Sequence, residues 1–162
     1  MDTWSRLVPQ SWPKDADRRY GQGEPRHEWR AGMTDEAIIN QTLELIAERF
    51  GDPTPYVFKR LFAQNPEMEA LFVRDTGGQV RGQMLSMVLD SLLDHIGSDS
   101  YGAALVQIER VNHVGLGVEP EVFDTFFDVV LDTFRDLLGG GWTPEMEDAW
   151  PRQLAGLRHG EG

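Results

Sequence analysis

Residues 80–96 read VRGQMLSMVLDSLLDHI, and residues 112–118 read NHVGLGV. In the first stretch Met84, Leu85, Met87, Val88, Leu89, Leu92, Leu93 and Ile96 are apolar at helical spacing over a wide arc. A helix with so broad an apolar face belongs near the middle of a fold, covered on more than one side. In the second stretch His113 ends a helical segment that begins near Tyr101, directly before glycines that free the chain to turn. A lone histidine at a helix end is open to two readings, a structural residue or a ligand.

Outward from this pair of segments the pattern stays helical. Thr34 is a good N-cap, Asp35 and Glu36 suit the first turn, and Ile39, Leu43, Ile46 and Phe50 recur on one face before Gly51. Thr54-Pro55 predicts a cap with proline at the first helical position, opening a helix through Val57, Phe58, Leu61 and Phe62. Asn65-Pro66 breaks it and starts a short turn ending in Leu71-Phe72. Pro120 opens an aromatic-rich helix with Phe123, Phe126, Phe127, Val130, Phe134 and Leu138 inward; three glycines at 139–141 close it, and Thr143-Pro144-Glu145 starts the last. No strand period or long repeat interrupts the series, so residues 34–162 are expected to form an all-α domain of about seven helices.

The composition narrows function further. The 162 residues carry 15 Lys plus Arg against 27 Asp plus Glu, a formal charge of −12. Such a field repels phosphate backbones and anionic lipid, which argues against nucleic-acid and membrane-surface partners. There is no cysteine, so thiolate-held metals, disulfides and cysteine nucleophiles are excluded. With no cationic-then-apolar start and no long apolar run, a cytoplasmic protein is the expectation. Charge is uneven: residues 1–33 hold 6 basic and 5 acidic side chains, leaving 9 basic and 22 acidic in 34–162. With Pro9, Pro13, Pro25 and no sustained period, 1–33 reads as an extended or disordered arm, unusual in carrying Trp4, Trp12 and Trp29.

Few side chains offer chemistry. His27 and His159 fall in the arm and the C-terminal fringe, and His95 sits beside Asp94 near a helix end, where a cationic imidazole is favoured. Ser86 and Ser91 have no base at recognisable spacing. Zinc-binding His pairs and glycine-rich phosphate loops are missing from the sequence.

Taken together, VFKRLFAQNPEMEALF (57–72), VRGQMLSMVLDSLLDHI (80–96), NHVGLGV (112–118), EPEVFDTFFDVVLDTF (119–134) and TPEMEDAW (143–150) resemble the globins. The resemblance is to single-domain bacterial haemoglobins and the haem domain of flavohaemoglobins, over about 34–157. It implies a three-on-three helical sandwich holding haem b. His113 then matches the proximal iron ligand, with Asn112 or a backbone carbonyl one turn earlier holding its other ring nitrogen. Phe72 matches the phenylalanine over the porphyrin and Pro66 the proline that turns the chain toward it. Phe58 takes the distal second-helix position where relatives often place a tyrosine. Val118 and Phe123 match residues packing against the porphyrin, and Leu85 the apolar distal residue.

Counting back 32 residues from His113 assigns the distal polar position to Arg81, with Gly82 close to the porphyrin. Arginine stays protonated and cannot ligate iron, so an open, five-coordinate ferrous site is expected. Arg81 would then bond a polar ligand or reach outward to a haem propionate; Gln79 or Gln83 takes its place if the register moves by two. Two features depart from the family. Glu109 stands one turn before His113, where an apolar residue is usual, so either Ile108 rotates in or the carboxylate reaches water. Pro151 falls inside the last helix, where it costs a hydrogen bond. The glutamate that polarises the proximal histidine in bacterial globins would lie beyond residue 162, and its tyrosine partner is Phe123 here. The resemblance implies reversible binding of O2, CO or NO, as in oxygen transport or storage, by a monomer or homodimer. Its alternatives are nitric oxide dioxygenation or nitrite reduction with a separate reductase, and gas or redox sensing with the Trp-bearing arm as output.

Overall fold

The computed structural model describes residues 32–97 and 101–160. The arm expected over 1–33 therefore lies outside the described residues, apart from Gly32 and Met33. Six α-helices are present among the described residues: α1 (Asp35–Phe50), α2 (Thr54–Gln64), α3 (Gln79–Ile96), α4 (Tyr101–Gly115), α5 (Pro120–Leu138) and α6 (Pro144–His159). A 3-10 helix, Pro66–Phe72, joins α2 to the loop before α3, and a short one at Gly139–Gly141 follows α5. None of these helices is long and apolar enough to cross a membrane.

The contacts sort the helices into two layers. In one, α3 touches α1 and α4; in the other, α5 touches α2 and α6. Across the layers α1 meets α5 and α6, α2 meets α3, and α4 meets α5 and α6. This is the three-on-three sandwich implied by the resemblance, with α3 inside as its wide apolar arc requires.

The local chemistry follows the sequence in most places. Thr34 caps α1 by accepting the Ala37 N–H, and Thr143 caps α6 by accepting that of Met146. At α2 the expectation shifts by one residue. Thr54 is already helical and Pro53 takes the N-cap position without a side-chain bond, while the Asp52 carboxylate accepts the Thr54 N–H at 2.9 Å. α6 runs through Pro151 without a break. Behind the site, the core centres on Trp150, which is fully buried. Its indole N–H donates to the Thr42 hydroxyl at 3.0 Å and its ring meets Phe134 edge-on at 5.4 Å.

One close approach sets the spacing of α3 and α4. A Cβ on Gly102 would lie 2.2 Å from the Ser91 carbonyl oxygen, so only glycine lets the two backbones touch. Gly102 also donates its N–H to the Asp94 carboxylate at 2.6 Å. Gly102→Ala must push the helices apart and is expected to cost about 1–3 kcal/mol. Urea denaturation measures this, and an unchanged midpoint would count against the contact.

Candidate functional site

Pinned at Gly102, α3 and α4 diverge toward the other end, and an apolar cavity opens between them. On the α3 side its wall is Val80, Gln83, Met84, Met87, Val88 and Ser91. These fall at helical spacing on one stripe. On the α4 side are Leu105, Val106, Glu109 and His113; Val118 follows, and Phe123, Phe126 and Phe127 of α5 close the back.

His113 is the one imidazole on this wall. Its Nδ1 lies 2.7 Å from the Glu109 carbonyl oxygen. A carbonyl only accepts, so Nδ1 carries a proton and donates it, and in the neutral ring the lone pair is on Nε2. The backbone carbonyl thus takes the role that the sequence left between it and Asn112. Asn112 is exposed and donates instead to the Glu109 carboxylate at 3.2 Å. The Phe123 ring meets the imidazole edge-on at 5.0 Å between centroids, and the Arg110 guanidinium lies 5.7 Å over the far side of Phe123. Arg110 pairs with Asp124 and donates to the Arg158 carbonyl, so the wall under His113 is braced from α5 and from the end of α6.

Past His113 the helix must turn back at once. Gly117 adopts φ +85°, and the Val118 N–H bonds the His113 carbonyl at 2.9 Å. Val118 is thereby returned, buried, to the cavity wall.

A model of the family Globin matches residues 56–160, most of the chain. The chain belongs to the globin family. Among curated relatives it is 31% identical over 129 residues to the flavohemoprotein of Bordetella pertussis, covering 75% of this chain and 31% of that one. It is 27% identical over 115 residues to the flavohemoprotein of Rhodopirellula baltica, covering 69% and 28%, and 27% identical over 118 residues to that of Vibrio cholerae, covering 70% and 29%. The chain therefore spans about a third or less of the length of these relatives. No solved structure matches it significantly.

The globin places its expected site residues unevenly. His113, Val118 and Phe123 come together on the cavity wall. Arg81 does not: its guanidinium is turned to Asp75, with Nε 3.0 Å from the carboxylate and a terminal nitrogen 2.9 Å from the Asp75 carbonyl. Leu85 also departs from the expectation, buried at 1% exposure in the core while Met84 faces the cavity. Phe58 and Phe72 stand one layer back, edge-on to each other at 5.3 Å, with Phe58 backing the cavity-lining Phe126 at 5.5 Å. Of the two glutamines, Gln83 lines the cavity and Gln79 does not. Glu109 keeps its place on the wall, partly open to water, and Ile108 points out at 55% exposure. Val80 and Met87 were not anticipated; their signal was the apolar stripe itself.

Asp75 ties the start of α3. Its carboxylate accepts the N–H groups of Val80 and Arg81, each at 3.0 Å, as well as the Arg81 guanidinium. Burial pushes its pKa up, but the hydrogen bonds from Arg81 and Val80 outweigh this and hold it below the ordinary value. A depressed folded-state pKa means a stabilisation that is complete above the ordinary carboxylate range and drains away as pH falls through the folded value. Asp75→Asn should therefore be less stable at pH 6, with the gap to wild type narrowing toward pH 3 in urea denaturation. A gap of constant size would contradict this role.

Proposed function

We propose that this globin binds haem b in the slot between α3 and α4, where His113 would hold the iron, and that the bound group would take O2, CO or NO reversibly. The observation that carries the reading is the state of His113: Nδ1 held by a carbonyl and Nε2 free beside an apolar cavity. Among the described residues no group of three His, Asp or Glu could hold a bare metal ion. A single imidazole on a mainly apolar wall is instead suited to a metal already held in a macrocycle. Haem supplies an iron with one open position for a diatomic gas.

The chain's own residues do the rest. The Glu109 carbonyl fixes the tautomer and direction of the His113 ring, and Phe123 limits its rotation. Val80, Met84, Met87 and Val88 give the slot an apolar face on the α3 side. Gln83 is the amide on that side with N–H groups to offer a polar ligand. Arg81, tied to Asp75, shapes the lip of the slot rather than its interior.

A second reading, nitric oxide dioxygenation or nitrite reduction with electrons from a reductase, is supported by the flavohemoproteins among the relatives. The two readings share the same His113 site and differ in whether a reductant acts on it.

His113→Gly tests the site. The variant should lose stoichiometric haem binding, and millimolar imidazole should restore the histidine-ligated spectrum. A variant that keeps that spectrum without imidazole would overturn the assignment. Gln83→Leu should raise the O2 dissociation rate about tenfold, the value of one hydrogen bond near 1.4 kcal/mol, in stopped-flow measurements. An unchanged rate would remove Gln83 from the distal role.

A further inference from the structure

Glu109 is the feature that the preceding reading leaves unexplained. It is the one carboxylate on the wall of a mainly apolar cavity. Its side chain is 27% exposed, and one of its oxygens lies 3.9 Å from Nδ1 of His113, whose own side chain is 22% exposed. The other oxygen accepts from Asn112 Nδ2 at 3.2 Å, which holds the group in place. Among the described residues no lysine or arginine pairs with it: the neighbouring Arg110 is engaged by Asp124, Gln107 and the Arg158 carbonyl. The negative charge beside the imidazole is therefore not neutralised by a cation.

The same residue thus acts twice on one nitrogen. Its carbonyl accepts the Nδ1 proton, and its carboxylate adds a through-space negative charge at the same side of the ring, in a half-buried place where water screens it only in part. An acceptor and an anion at Nδ1 both draw the proton outward and enrich the ring at Nε2, the nitrogen that faces the cavity.

We propose that Glu109 is a positioning and tuning residue for His113, and that its carboxylate makes the imidazole a stronger donor and so favours the oxidised state of an iron bound there. The inference rests on the haem reading above.

The test uses the full chain loaded with haem, comparing wild type with Glu109→Gln. Glutamine keeps the shape, the backbone carbonyl and a partner for Asn112, and removes only the charge. The reduction potential of the variant should rise so that the ferrous-to-ferric ratio at fixed applied potential increases about tenfold, which for a one-electron couple is about 59 mV. The iron–histidine stretch of the ferrous form in resonance Raman spectra should move to lower frequency. Glu109→Leu should shift both in the same direction, which separates charge from shape. If wild type shows a histidine-ligated spectrum and both variants match it in potential and stretch, the role of Glu109 is overturned while the haem site stands. If wild type takes up no haem, both readings fall together.

Discussion

The contact between the backbones of Ser91 and Gly102 is the constraint from which the rest of this globin follows. It brings α3 and α4 together at one end, where no side chain fits between them. At the other end the two helices are held by separate devices. Asp75 clamps the first turn of α3, and the turn through Gly117 folds Val118 back beneath the last turn of α4. Two helices pinned at one end and fixed apart at the other must enclose a slot, and the slot is where His113 stands.

That geometry turns an ordinary helix-terminal histidine into a defined donor. Had Nδ1 been solvated, either tautomer would be available and the ring would rotate. The Glu109 carbonyl chooses the tautomer, and Phe123, braced by Arg110 against the end of α6, limits the rotation. The last helix thus contributes to the site without touching it, through the Arg158 carbonyl. The core around Trp150 and Phe134 supplies the rigid backing on which these small adjustments rest.

Much of this was legible in the sequence. Apolar spacing, prolines at first helical positions and the glycine stops located all six α-helices, and the wide arc of α3 placed it inside. His113, Val118 and Phe123 share one wall of the cavity because they cluster around one turn, where sequence distance and spatial distance agree. Arg81 and Leu85 do not line the cavity, for a physical reason. A count along the chain fixes how far a residue lies from His113, but successive side chains on a helix point about 100° apart, so an offset of one residue changes the face. Val80, Met84, Met87 and Ser91 form the stripe that faces the cavity, and Asp75 holds the Arg81 guanidinium away from it. Glu109 stood out in the sequence because it lies four residues before His113, a spacing that makes the two side chains neighbours on α4.

The central claim, that the slot between α3 and α4 holds haem on His113, is tested most directly by titrating haem into the purified chain and recording the ferric, ferrous and carbon monoxide spectra. The account predicts saturation at one haem per chain, a five-coordinate histidine-ligated ferrous spectrum, and a sharp band with carbon monoxide. Haem uptake without saturation, or a ferrous spectrum with no histidine ligand, would contradict it.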